Sequence, residues 1–434
     1  MIQTLNLDSI EREPVDASTK GFPHGAPPTP LGEIGAQGWH LLKGSLPLPQ
    51  AVLKDSALAH NHAWMRDFTQ ATGVLLAPHG KTTMAPQIFA QQLAAGAWGI
   101  TVATVHQLAL CVGFGVRRVI MANQLLGAAA VAEVLRLQAK HADLEFYFLV
   151  DSLAQLRSIE AEAGLHPGPR RLSALLELGV TGGRTGCRNA DEALTLARAV
   201  AASQCVDLAG VECYEGLQLN GDSAHDAKFV AELMRAMQEV AVSCDRAGWF
   251  VGSSIILSAG GSAAFDIVAR ELPTRLSKPV QTILRSGCYV THDAGFYERM
   301  LVNVRARSGR DWEAREGLRA ALEVWAQVQS RPEPSLAILT MGKRDASFDL
   351  GMPRPQWQFR KGRDARPRAI HNDAKVMAMN DQHAYLRLPP DADVLVGDLI
   401  GCGISHPCTT FDKWRVMFTV DDDYRVTGAI RTYF

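Results

Sequence analysis

Along most of the chain, short apolar runs rich in β-branched and aromatic residues alternate with polar or glycine turns. Each turn leads into a stretch where apolar residues recur every three to four positions. The runs are GVLLA (73–77), GITVAT (99–104), RVIMAN (118–123), EFYFLV (145–150), LSALLEL (172–178), LAGVECY (208–214), SSIILSA (253–259) and VQTILR (280–285). Helical periodicity covers 83–95, 128–141, 153–163, 189–203, 225–247 and 263–272. Eight such strands, each with a helix behind it, predict an α/β fold. It is a closed parallel (β/α)8 TIM-type barrel over residues 56–295 rather than an open doubly wound sheet.

The rhythm changes near residue 295. A helix is expected at about 311–329, and after it SLAILTM, KVMAMN, HAYLRLP, DLIGCGIS, WRVMFTV and YRVTGAIRTYF alternate with turn signals. That pattern predicts a mainly antiparallel β domain over 296–434. Residues 1–55 are interrupted by GFPHGAPPTP and SLPLPQ, so they form an arm with little regular structure, expected to pack on the β domain.

Composition narrows the function. With 434 residues, 47 % hydrophobic and 21 % charged, the chain can bury a large core and is not of disordered type. A formal charge of -1 gives no basic surface for nucleic acid, and no Lys/Arg run points to an anionic membrane. No apolar stretch approaches the ~18 residues of a membrane helix. The opening MIQTLNLDSIEREPVD lacks a basic n-region and an apolar h-region, so a cytoplasmic location is expected. The eight cysteines (111, 187, 205, 213, 244, 288, 402, 408) show no CxxC spacing, which suggests reduced core residues rather than a disulfide framework.

Candidate chemistry falls at the C-terminal ends of the predicted strands, the catalytic face of such a barrel. Lys81 in PHGKTT follows the first strand, where a lysine is either an ordinary solvated charge or a partly desolvated amine suited to covalent work on a carbonyl. Arg184 follows the fifth strand and Tyr214 closes the sixth. SAGGS (258–262) and SGCY (286–289) follow the seventh and eighth, the usual phosphate site of the fold. Alone, SAGGS is a glycine turn. Joined to SGCY and a lysine on the same face, Gly260 and Gly261 read as an anion cradle whose amides face a phosphate, with a helix starting near Ala263. A phosphate cradle opposite a lysine suggests pyridoxal 5'-phosphate, with Arg184 at its pyridine nitrogen.

In the second domain, CGISHPCTTFDKW (402–414) places His406 and Cys408 two apart. In an extended segment they project to one side and can share a metal, zinc by ligand chemistry or another divalent ion. Two protein ligands leave positions open for substrate, as a Lewis acid requires. Cys402 and Asp412 rank below them as further ligands.

Together PHGKTTMAP (78–86), TVATV, ANQ, GRTG (183–186), CYEG (213–216), SAGGS, LRSGCYVTHD (284–293), GKRDASFD (342–349) and SHPCTTFDKW (405–414) resemble the D-serine dehydratase-like, D-threonine aldolase-like group of fold-type III pyridoxal phosphate enzymes, which have the alanine-racemase fold. The resemblance runs in order from about residue 50. It implies that Lys81 holds the cofactor covalently, Arg184 faces its ring nitrogen, and Tyr214 lies beside it. It also implies that Gly260, Gly261, Ser286, Gly287 and Cys288 surround the phosphate. His406 and Cys408 match the zinc pair of the dehydratase branch, where the aldolase branch typically has an aspartate in place of the cysteine. One departure is LQLNGD after CYEG, where many relatives have a histidine directly after the glycine, which puts substrate contacts near Leu217 in question.

The expected function is therefore a pyridoxal phosphate- and zinc-dependent lyase, a dehydratase or deaminase of β-hydroxy D-amino acids such as D-serine or D-threonine. The products are a 2-oxo acid and ammonia, and by the resemblance the enzyme is a homodimer. The alternatives are a metal-dependent D-threonine aldolase, an amino acid racemase, and a non-catalytic pyridoxal phosphate carrier. Such carriers typically lack the β domain.

Overall fold

The computed structural model describes residues 3–165, 171–216, 218–309, 312 and 314–434. Eight parallel strands, Leu75–Leu76, Ile100–Val102, Arg118–Gln124, Glu145–Val150, Leu172–Leu178, Val206–Cys213, Ile255–Ala259 and Val280–Leu284, pair in chain order. The eighth returns to the first through Ile283 beside Leu75. The seam between first and second is closed by Trp98 N–H donating to Leu76 O at 2.7 Å and Thr101 N–H donating to Pro78 O at 2.9 Å. The sheet thus closes on itself as a barrel, each strand at a position the apolar runs had indicated.

The barrel interior is filled by Ala77, Trp98, Ile120, Leu149, Leu175, Ala209, Ile256 and Ile283, all at most 8 % exposed. Burying each large apolar side chain contributes about 1.5–3 kcal/mol. Outside, helices Pro86–Ala94, Ala128–Lys140, Leu153–Leu165, Ala190–Ala202, Ser223–Arg246 and Phe265–Glu271 lie where periodicity placed them. A further helix, Val105–Gly113, connects the second and third strands, and Thr104 Oγ1 caps it by accepting from Gln107 N–H at 3.2 Å. Asn189 and Asp222 cap two later helices through Glu192 N–H and His225 N–H.

The helix expected at 311–329 does not run through that range: among the described residues 312 and 314 are helical, but Leu322–Glu333 is a strand. A helix just before it, Phe296–Arg307, is started by Asp293, whose carboxyl oxygens accept from the N–H groups of Gly295, Tyr297 and Glu298. The cause is burial on both faces. Leu322, Val324 and Ala326 belong to the main core while Trp325 packs in the core shared with the N-terminal arm, which erases the alternation that marks a strand.

The other runs of the second domain form Leu336–Leu339, Lys375–Met379, Ala384–Arg387, Leu399–Gly403, Val416–Val420 and Val426–Arg431. Arg354–Phe359 adds one more, and pairing is antiparallel except between Val416–Val420 and Gln50–Lys54. The N-terminal arm lies on this sheet. Ile10, Val15, Phe22, Leu31, Ile34, Leu41 and Leu42 share a core with Trp325, Phe359, Leu399, Val416 and Phe418. No helix among the described residues is long and apolar enough to cross a membrane.

Candidate active site

The ends of the barrel strands and two segments of the β domain enclose a cavity of about 480 Å³. Lys81, Arg184, Tyr214, Gly261, Gly287, Cys288, His406 and Cys408 line it, so most of the residues singled out from sequence converge on one volume. Gly260 and Ser286 lie just behind its wall, where Ser286 Oγ donates to Gly260 O at 3.0 Å. Leu217, whose contacts the sequence put in question, lies outside the described residues.

Lys81 sits in a single turn, Gly80–Thr82, that follows the first strand, and it is exposed to the cavity. The eighth strand's loop presses on that turn. A Cβ on Gly287 would lie 2.5 Å from His79 O and 2.8 Å from Thr82 Oγ1. Across the cavity, the Arg184 guanidinium lies 5.4 Å from the centre of the Tyr214 ring. Burial pushes the Tyr214 hydroxyl up to about 12, so it is a hydrogen-bond donor rather than a base near neutrality.

The glycine cradle is real but tenanted. Gly261 N–H donates to Glu215 Oε1 at 2.6 Å and Gly260 N–H to Oε2 at 3.2 Å. The amides therefore hold an anion-like group already, and a cofactor phosphate seated on them requires Glu215 to give way. Glu215 follows Tyr214 at the end of the sixth strand and reaches the neighbouring loop, a cross-strand contact that spacing along the chain does not reveal. The helix expected from Ala263 begins at Phe265. An amine, amides able to hold an anion, a guanidinium and an aromatic ring around one cavity fit pyridoxal 5'-phosphate.

Four titratable residues of the cavity wall escaped the sequence reading. Arg285 Nη2 pairs with Glu212 Oε2 at 2.7 Å and donates to Cys213 O, while Nη1 donates to Ser258 Oγ at 2.7 Å. Burial pushes the Glu212 carboxyl up to about 8, against the pull of Arg285. Glu177 accepts from Thr185 Oγ1 at 2.5 Å and from Gln124 Nε2, and burial raises it as well. His79 is held well below the ordinary imidazole value, first by burial and then by Lys81 and Arg285. The available signal was a charge inside an apolar strand run, as in LLEL and GVEC, because such a charge is buried only with a partner.

The metal pair is arranged differently from the extended segment expected. Pro407 precedes a short helix, Cys408–Phe411, because its ring fixes a φ of -62° suited to a helix start. Both side chains still reach the cavity. His406 Nδ1 lies 2.5 Å from Asp349 Oδ2, which orients the ring, and Thr409 Oγ1 donates to the other Asp349 oxygen at 2.9 Å. Cys408 Sγ is 3.5 Å from Cys288 Sγ and 3.4 Å from Thr82 Oγ1. Its thiol is held well below the ordinary value, chiefly by the Cys288 hydrogen bond with His406 adding, and against burial. An oriented imidazole beside a thiol of thiolate character fits a soft divalent metal such as zinc. Cys402 and Asp412 are not part of this arrangement. Cys402 is buried within the sheet and Asp412 pairs with Lys413 at 3.0 Å. Among the described residues no group of three or more His, Cys, Asp and Glu is placed to hold a metal.

Comparison with known proteins agrees with this fold. Residues 321–420 match the family model described as a putative serine dehydratase domain. The chain is 26 % identical over 387 residues to a D-threonine aldolase of Arthrobacter sp, covering 86 % of this chain and 89 % of that protein. It is 27 % identical over 404 residues to the D-threo-3-hydroxyaspartate dehydratase of Delftia sp. (strain HT23), covering 90 % and 97 %. The crystal structure of a D-threonine aldolase from Filomicrobium marinum superposes with a TM-score of 0.72 at 22 % identity, covering 91 % of this chain and 97 % of that one. Barrel, β domain and these likenesses lead to one conclusion: the chain has an alanine-racemase-like fold, carries a match to the putative serine dehydratase domain in its β domain, and is similar over most of its length to D-threonine aldolase and D-threo-3-hydroxyaspartate dehydratase.

Proposed function

We propose that the chain is a pyridoxal phosphate- and zinc-dependent enzyme that removes water from β-hydroxy D-amino acids, giving a 2-oxo acid and ammonia. The observation that carries this reading is the opening of Lys81 and the His406–Cys408 pair onto one cavity. The relatives support the substrate class, since their names join D-amino acids to a 3-hydroxyl group or to threonine.

Lys81 would hold the cofactor, Arg184 would face its ring nitrogen, and Tyr214 would donate at its edge. When bound, the cofactor supplies an electron sink for charge developing at the substrate Cα. The Lys81 amine, which opens onto the cavity, would take the proton from the substrate Cα. His406 and Cys408 would hold zinc, a Lewis acid for the β-hydroxyl. Asp349 fixes the imidazole, and the Arg184 guanidinium would disfavour a proton on a ring nitrogen held against it. Tyr297 and Leu350 also line the cavity.

The second reading is a D-threonine aldolase, favoured by the likeness to the Arthrobacter and Filomicrobium enzymes. Cleavage of the α–β carbon bond would use the same lysine and metal pair. Incubation with D-serine, D-threonine and D-threo-3-hydroxyaspartate, with and without chelator, separates the two. A chelator-sensitive oxo acid plus ammonia is expected. Glycine plus an aldehyde would replace dehydration by aldol cleavage, and no turnover of any of the three would remove the proposal.

A further inference from the structure

The N-terminal arm does more than cover the β sheet. Residues 16–22 form a turn in which Asp16 accepts from Ser18 N–H and Ser18 Oγ, Gly21 takes a φ of +88°, and Phe22 is buried against Trp39. The turn is thereby anchored and presents Lys20 to two distant segments. Lys20 Nζ lies 2.6 Å from Asp345 Oδ1, donates to Arg344 O at 2.8 Å, and sits 3.8 Å above the Trp414 ring. Asp345 is 4 % exposed and Trp414 1 %.

Those partners belong to the two segments that build the metal pair. Asp345 closes its own loop by accepting from Gly342 N–H, and its carbonyl accepts from Trp414 Nε1 at 2.8 Å. Ser347 N–H donates to Thr410 Oγ1 at 2.9 Å, and Ser405 Oγ to Gly351 O at 2.6 Å. Between these ties stand Asp349, His406 and Cys408. One cation therefore neutralises the buried carboxyl group at the base of the first segment and caps the aromatic ring at the end of the second.

We infer that Lys20 is a positioning residue that locks segment 342–351 against segment 405–414 and so holds Asp349, His406 and Cys408 in the geometry that takes the metal. The metal itself rests on the function proposed above, but the clamp is tested without it. In the full chain, hydrogen exchange of both segments is measured in zinc-free protein for wild type, Lys20→Met, Lys20→Arg and the near-isosteric Asp345→Asn. Zinc affinity is then measured by competition with a chromophoric chelator. Lys20→Met and Asp345→Asn should speed exchange in both segments while the barrel strands stay protected, and should weaken zinc roughly ten-fold or more. Lys20→Arg, which keeps the charge and the stacking, should restore most of both. Wild-type exchange in Lys20→Met and Asp345→Asn overturns the clamp, and loosened segments with wild-type zinc affinity overturn its positioning role. Wild-type protein that takes up no zinc would overturn the metal reading alone, because the exchange result still decides the clamp.

Discussion

Gly287→Ala is the smallest change that strikes the cavity. Gly287 has a φ of -106°, which any residue adopts, so the glycine is required for space alone. Its added Cβ would meet His79 O at 2.5 Å, Thr82 Oγ1 at 2.8 Å and His79 Cβ at 3.0 Å. Two of the three contacts belong to residue 79, whose carbonyl cannot move without shifting the turn that presents Lys81. Overpacking of this kind costs about 1–3 kcal/mol. That loss should appear in the denaturant midpoint, and cofactor affinity should fall by roughly ten-fold or more as Lys81 and the cradle move apart. Gly113→Ala is the matched control. It lies in a helix with nothing within 4 Å of the new Cβ, so it should be neutral or stabilise by up to ~1 kcal/mol. Absorbance titration with pyridoxal phosphate and urea unfolding supply both readings. A Gly287→Ala protein with wild-type stability and cofactor affinity would refute the claim that the eighth strand's loop and the Lys81 turn are packed to contact.

Three further outcomes follow from the same geometry. Arg285→Met strands the buried Glu212 carboxyl; above about pH 8, where that carboxyl is ionised, removal of its partner should cost about 3–5 kcal/mol in urea unfolding, and less at lower pH where it is protonated. Burial holds His292 down to about 4, so the folded chain keeps it neutral while the unfolded chain protonates it near 6.5. Its stabilisation is complete above pH 6.5 and is lost as pH falls towards 4, about 3 kcal/mol in all. His292→Asn, which also tolerates the φ of +47°, should flatten that slope, and an unchanged pH–stability curve would contradict it. Asp349→Asn removes the anion that orients His406 and should weaken zinc binding by about 10- to 100-fold in a chelator competition, with overall stability little changed.

What could be read before folding was governed by how local each signal is. The barrel strands and the lysine turn announce themselves within about ten residues, and His406 and Cys408 lie two apart. The first half of the strand Leu322–Glu333 was hidden because a core on each face removed its alternation. Pro407 carried a helix-start signal, but the metal argument favoured an extended segment. Asp349, Glu215 and Lys20 act on partners that are distant in sequence or on the next strand, so no spacing along the chain could assign their contacts.

The account stands on Lys81 facing an anion cradle across one cavity. Loading the protein with pyridoxal 5'-phosphate, reducing it with borohydride and mapping the modified peptide tests this most directly. The account predicts stoichiometric labelling of Lys81 and its loss in Lys81→Ala. Label on another lysine, or none in wild-type protein, would contradict it.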